Sequence, residues 1–239
     1  MAHVHRFFIS PETATAESML LPDEEAHHAL RVVRVQRGDP VVLFDGRGRE
    51  LVCEIAEATK REVTVRVREE RQHELPAHRL TVAQAWLHRE KAIEFLVRHG
   101  TEMGVHRFVF WEAERSEKKP KVSEKWARWA VEVCKQAGRV WVPQFEVATN
   151  VDAVLDGAQG TLAIAAISAG HRPLACLREE AEVTLLLGPE GDFTGAELAA
   201  AQAKGAVPIS LGKYIYRAEV AAVTGAALLQ YIWGEMGER

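Results

Sequence analysis

The chain has 239 residues, 47% of them apolar, with a formal charge of −4 and a pI near 6.2. That length suits one large domain or two modest ones, and so much apolar material excludes wholesale disorder. The acidic balance excludes a nucleic-acid binder that is basic all over, so any RNA contact has to use local basic patches.

The opening MAHVHRFFIS has an apolar run too short for a signal peptide, and no stretch reaches the length of a membrane span. The expectation is a soluble, cytoplasmic protein. Cys53, Cys134 and Cys176 are odd in number and scattered, which indicates neither a disulfide framework nor a zinc site. PDEEAHHALRVVR (22–34) predicts a short helix, with Pro22 at its start and acids in its first turn. His27 and His28 are neighbours on it and point apart, with no third ligand nearby, so no metal is expected. VVLF (41–44), the turn signal DGRG with Asp45-Gly46, LVCEIA (51–56) and EVTVRV (62–67) predict strands. Val63, Val65 and Val67 alternate with Thr64 and Arg66, the period of a half-buried strand. RQHELPAH (71–78) is polar, contains a proline and lacks periodicity, so the domain boundary falls there. The division is a small β-rich unit over 1–72 and a second domain over 73–239.

Beyond the boundary, strands and helices alternate. LTVAQAW (80–86), RFVFW (107–111), QFEVA (144–148), TLAIAAI (161–167), VTLLL (183–187) and VPISL (207–211) read as strands. REKAIEFLVRHGTEMG (89–104) reads as a helix with Ile93, Leu96, Val97 and Gly100 on one face. SEKWARWAVEVCKQAG (123–138) is another, opening on Ser123 and closing at Gly138. Short apolar runs separated by helices predict an α/β fold with a parallel sheet covered on both faces. AEVAAVTGAALLQYIW (218–233) is apolar nearly all round; it is either a central core helix or one partly covered by a second subunit.

The most constrained stretch is LLLGPEGDFTGAEL (185–198). Thr194 and Glu197 have the spacing of a capping box, so a strand ends, a loop follows, and a helix starts at Thr194. Gly188 and Gly191 permit backbone angles closed to other residues, and Pro189 stiffens the loop between them. Ligands of parallel sheets sit at such strand ends, although an ordinary strand-to-helix loop is the alternative. Glu190 and Asp192 argue against an anionic ligand. A second loop of this kind, ISLGKYIYRAEVA (209–221), follows the next strand, with Gly212 at its turn and Tyr216 beyond. The two loops are expected to form opposite walls of one pocket, whose apolar residues Leu187, Leu211 and Ile215 suit an adenine ring. Neither a dinucleotide fingerprint nor a Walker loop is present, so neither a nicotinamide cofactor nor a nucleoside triphosphate is expected.

GPEGDFTGAEL followed about twenty residues later by SLGKYIYRAEVA resembles the closing motifs of the SPOUT class of knotted α/β methyltransferases. Within that class it is similar to the family that methylates N3 of a uridine in 16S, small-subunit ribosomal RNA. HHALRVVRVQRGDPVVLFDGRG (27–48), KAIEFLVRHGTEMGV (91–105), AERS (113–116) and CKQAGR (134–139) carry the resemblance over nearly the whole chain. Two positions depart from the family pattern: Asp192 stands where a second glycine is usual, and Val220 where a small polar residue is usual. The resemblance implies a trefoil knot in the carboxyl-terminal domain and a PUA-like barrel at the amino terminus. It also implies S-adenosylmethionine held by Leu187, Gly188, Pro189, Gly191, Leu211, Gly212, Ile215 and Tyr216, and a homodimer with helix 218–233 in its interface. Close glycine backbone suits an uncharged adenosine, and acids suit a positive sulfonium.

RNA phosphate requires Arg and Lys. Residues 107–143 carry nine basic against five acidic side chains, among them Arg115, Lys118, Lys119, Lys121 and Arg139. Arg31, Arg34, Arg37, Arg47 and Arg49 form a second group, near Asp39 and Asp45. Each is either an RNA contact or part of a solvated face, and Arg6 beside Phe7 and Phe8 either serves RNA or anchors the first strand. The expected partner is 16S ribosomal RNA or the assembled small subunit. Methylation at uracil N3 requires loss of its proton. Arg217 is the first candidate to stabilise the anion, and Glu190 is a candidate base that can equally cap its own loop. Tyr214, Tyr216 and Glu219 stand on the same loops. The rival readings are a ribose 2′-O-methyltransferase of the same class, a non-catalytic RNA-binding assembly factor, and an open α/β enzyme acting on a small molecule.

Overall fold

The alternating valines of 62–67 lie in a longer strand than their period covers. The structure, a computed structural model, describes residues 4–167 and 172–237. These divide into two compact units, Met1–Leu75 with Val131–Val142, and Pro76–Ala130 with Pro143–Arg239.

In the first unit the strands are β1 (His5–Phe8), β2 (Ser18–Leu20), β3 (Pro40–Phe44), β4 (Arg49–Ala58) and β5 (Val63–Gln72). They form a five-stranded sheet in the order β1-β3-β4-β5-β2. β1 runs parallel to β3, and the other pairs are antiparallel. Val63 and Val65 are fully buried, in a core with Phe7, Leu43, Leu51 and Ile55. The DGRG turn joins β3 to β4. The Asp45 carboxylate accepts the N–H groups of Arg47 at 2.7 Å and Arg49 at 3.1 Å, and Gly46 and Gly48 take the left-handed angles 75° and 92°. The helix predicted over 22–34 is α1 (Asp23–His28), continued by a π-helical turn over Ala29–Val33 and ended by Arg34 in the left-handed conformation. His27 is exposed on it, whereas the half-buried His28 sets its ring edge-on to Phe7.

The segment 131–142 adds a buried ion pair to this unit, between Lys135 and Glu25. Burial raises the Glu25 carboxyl, and its bond to Lys135 offsets this only in part. Burial pulls Lys135 down, but bonds to Glu25 and Glu132 outweigh it and hold the ammonium above its ordinary range. Cys53 and Cys134 are buried and pushed up to about 11 by desolvation, which leaves both thiols protonated and inert at neutral pH.

The second unit alternates strands and helices: β6 (Arg79–Ala85), α2 (Glu90–Glu102), β7 (Arg107–Trp111), α3 (Glu124–Ala137, its later half in the first unit), β8 (Gln144–Ala148), α4 (Val151–Asp156), β9 (Thr161–Ala165), β10 (Glu182–Leu187), α5 (Gly195–Ala203), β11 (Val207–Pro208) and α6 (Ala218–Ile232). All six strands are parallel, in the order β11-β9-β10-β6-β7-β8. β6, β7 and β10 are buried along nearly their whole length, which explains their unbroken apolar runs. Periodicity missed β2 and α4, which are short; Asn150, the only asparagine, caps α4 by accepting the Ala153 N–H at 2.9 Å. Of the strand predicted over 207–211, β11 keeps two residues, and Ile209 continues beside it in an isolated parallel bridge to Arg172 while donating to Ile164 O at 2.9 Å. α6 packs on α2, β6 and β10 through Ala222, Gly225, Ala226 and Leu229, while Tyr231 on its other side is 66% exposed. Among the described residues no helix is long and apolar enough to cross a membrane, and no group of His, Cys, Asp and Glu is arranged to hold a metal ion.

Candidate active site

A cavity of about 650 Å³ opens at the carboxyl ends of β9 and β10, where the β11 segment joins them. The end of β10 and the loop after it contribute Leu187, Gly188, Pro189, Glu190 and Asp192 to its wall. The loop after β11 contributes Leu211, Gly212, Tyr214, Ile215, Tyr216 and Arg217. The two glycine-containing loops therefore face each other across one space. Gly191 is not in the wall; it lies against the stem of Arg115, which a Cβ at this position would meet at 3.5 Å.

The first loop is held from several sides. Thr194 caps α5 by accepting the Glu197 N–H at 3.3 Å, and the Glu197 carboxylate accepts the Thr194 N–H at 2.8 Å. The other oxygen of that buried carboxylate accepts the Glu114 N–H at 2.9 Å, tying the β7 end to the helix start. Asp192 donates its N–H to Pro189 O at 3.0 Å and takes φ of 57°, a left-handed angle at which glycine is unstrained. This accounts for glycine suiting that position. Gly188 has an ordinary φ but no room: a Cβ there would lie 3.2 Å from the Phe193 ring and N–H nitrogen. Glu190 is exposed, and one carboxylate oxygen accepts the His88 N–H at 3.2 Å, which fixes its direction.

In the second loop Gly212 takes φ of 141°, and the Tyr216 hydroxyl closes over it, 3.1 Å from where a Cβ would stand. Arg217 is the N-cap residue of α6, with an exposed side chain that makes no cap bond. Tyr214 and Ile215 are 72% and 76% exposed, so Ile215 borders the cavity from the rim.

The arginines singled out from charge have different surroundings. Arg6 is half-buried, pairs with Glu50 at 2.9 Å and lies 5.2 Å from the Phe44 ring centre, a strand anchor by its contacts. Arg139 is half-buried, and desolvation lowers its pKa. Arg31 and Arg34 are exposed on the π-helical turn and its end. Arg115 is exposed in the second unit and donates to the carbonyls of Gly191 at 2.7 Å and Phe193 at 3.2 Å.

Sequence reasoning missed several parts of the site. Arg89, Ala165, Ala166, Ile167, Ile209 and Ser210 also line the cavity. The 165–167 stretch carries no glycine or turn signal, and only the adjacency of β9 to β10 brings it there. Gln84 is fully buried at the end of β6 and donates its amide N–H to Gly188 O at 2.7 Å. A glutamine next to the end of a largely apolar strand was the available signal.

An all-parallel α/β unit with a cavity at its strand ends is the architecture of a ligand-binding enzyme domain. Residues 73–230 match the family described as RNA methyltransferase domain, and 21–68 match RNA methyltransferase PUA domain. A relative from Synechocystis sp., named Ribosomal RNA small subunit methyltransferase E, is 31% identical over 93% of this chain and 76% of its own. One of the same name from Bacillus subtilis is 26% identical over 95% and 96%. A probable rRNA-methyltransferase from Porphyromonas gingivalis superposes with a TM-score of 0.85 at 28% identity, covering 98% of this chain and 100% of that one. A Neisseria gonorrhoeae Ribosomal RNA small subunit methyltransferase E bound to S-adenosyl methionine gives 0.86 at 24% identity, with the same coverage. The chain belongs to the RNA methyltransferase family.

Proposed function

We propose that the chain transfers a methyl group from S-adenosylmethionine to N3 of a uridine in 16S ribosomal RNA, on free RNA or the assembled small subunit. One observation carries this reading. The two loops with the most specific family resemblance, after β10 and after β11, line the same cavity. The relatives' names point to the same RNA, and the Neisseria gonorrhoeae protein is described with this cofactor bound.

The lining fits the cofactor. The volume lies in the range of small-molecule sites, Leu187, Ile209 and Leu211 offer apolar surface to an adenine, and Glu190, Asp192 and Glu219 favour a cationic sulfur. Leu187, Gly188, Pro189, Leu211, Gly212, Ile215 and Tyr216 would hold it, with Gly191 shaping the loop from behind. When bound, it supplies a methyl group on positively charged sulfur. Arg217, a fixed cation on the wall, stabilises negative charge on uracil N3 or O4 as the N3 proton leaves. Glu190, with one oxygen tied to the His88 N–H, has its other oxygen to accept that proton.

The same reading includes a trefoil knot in the second unit, a PUA-like barrel in the first, and a cytoplasmic homodimer. The exposed Tyr214, Ile215 and Tyr231 are apolar surface for a second copy to cover. Arg31 and Arg34, exposed and with no ion pair among the described residues, are the first-unit side chains we assign to RNA phosphate. The test is methyl transfer to small-subunit ribosomal RNA, followed by nuclease digestion and mass spectrometry of the nucleosides. N3-methyluridine is expected. A methylated ribose would replace this reading with 2′-O transfer, and no methylation of free RNA or subunits would refute it.

A further inference from the structure

The geometry points to Arg115, acting with Gln84, as the positioning residue that holds the 188–193 loop in the shape that receives the cofactor; this rests on the cofactor reading above. The loop contains Gly188 and Gly191, residues whose backbone freedom works against a preformed site. Its carbonyls are held by side chains from the end of β6 and from the segment beyond β7. Gln84, fully buried, donates to Gly188 O at 2.7 Å, and a second bond to Ala85 O at 3.1 Å fixes its amide orientation. Arg115, beyond β7, divides one guanidinium nitrogen between Gly191 O at 2.7 Å and Phe193 O at 3.2 Å. Gly191 lies on the Arg115 stem, with Cβ and Cδ of that side chain each 3.5 Å from its missing Cβ position. Between these grips the chain makes the Pro189–Asp192 turn, with Asp192 in a conformation an aspartate does not favour. An arginine is suited to this work: one terminal nitrogen carries two N–H groups that reach two carbonyls at once, and the delocalised charge strengthens both bonds.

The experiment compares the full chain with Arg115→Ala and Arg115→Lys. Arg115 is exposed, so both variants are expected to keep their Tm within roughly 2 °C. Calorimetric titration with S-adenosylmethionine should show about tenfold weaker binding in Arg115→Ala and partial recovery in Arg115→Lys. Affinity for a small-subunit ribosomal RNA transcript, and its salt dependence, should stay as in the parent. Hydrogen exchange of the Asp192 amide without cofactor should be faster in Arg115→Ala, a readout independent of the cofactor assignment. Unchanged cofactor affinity together with weaker RNA binding and a salt slope reduced by about one would make Arg115 a phosphate contact and overturn the proposal. Faster Asp192 exchange in a protein whose parent form binds no S-adenosylmethionine would leave the brace standing and sink the cofactor reading. Parent binding with neither exchange nor affinity altered in Arg115→Ala would do the reverse.

Discussion

Gly225→Ala is expected to destabilise the protein, although alanine is the better helix former. Gly225 sits in the middle of α6, where propensity alone favours alanine by about 1 kcal/mol. The added methyl carbon would lie 2.6 Å from Cδ2 of Leu185 and 3.4 Å from Cδ2 of Leu211. Optimal carbon–carbon contact is about 3.5–4.0 Å, so roughly 1 Å of movement is needed. Leu185 is fully buried in β10 with β6 and β9 on either side, and its movement disturbs the core. Overpacking of this kind costs about 1–3 kcal/mol, which leaves a net loss of roughly 1 kcal/mol after the propensity gain. For a chain of this size that lowers Tm by about 2–4 °C. Leu211 also lines the cavity, so cofactor binding should weaken as well. Gly195→Ala is the control. Gly195 opens α5 with nothing within 4 Å of a Cβ, so the same change there should stabilise by about 0.5–1 kcal/mol. Thermal denaturation followed by far-ultraviolet circular dichroism reads both. A Gly225→Ala protein that gains stability as Gly195→Ala does would refute the close seating of α6 on β10.

Arg217→Ala should lower kcat by about 100- to 1000-fold while leaving S-adenosylmethionine affinity nearly unchanged, measured by single-turnover methylation beside calorimetry. A loss confined to cofactor binding would refute its catalytic assignment. Gly188→Val should weaken cofactor binding by about tenfold or more, because even its Cβ would be 3.2 Å from Phe193 and the loop must move. Parent-like binding in a folded Gly188→Val protein would take the cofactor away from this loop. Lys135→Met should cost about 3 kcal/mol at neutral pH in urea denaturation, since it leaves Glu25 buried without its partner. Because the folded state raises the Lys135 pKa, its stabilisation is complete below the ordinary lysine pKa and is lost as pH rises through the folded value. The variant should lack that alkaline loss, and an unchanged alkaline profile would argue against the pair.

The sequence by itself determined the longer elements and the two loops that line the cavity. The valine alternation of 62–67, the apolar runs at 107–111 and 183–187, and the Thr194–Glu197 capping box are local signals. The capping box is a bond between residues three apart, whereas the alternation and the apolar runs record which faces are to be buried; each appears in the structure. The two glycine-containing loops were legible for the same reason, since strand ends and tight turns write their own residues. Tertiary structure decided which strands are neighbours, and hydropathy holds no record of that choice. Only the placing of β10 between β6 and β9 brings Gln84 under Gly188 and adds 165–167 to the cavity wall. Partners also lay beyond the sequence. Arg6 and Arg115 read alike as local positive charge, yet one is committed to Glu50 and the other to the carbonyls of Gly191 and Phe193. Composition reports a charge, and only the fold determines which acceptor lies within hydrogen-bond reach of it.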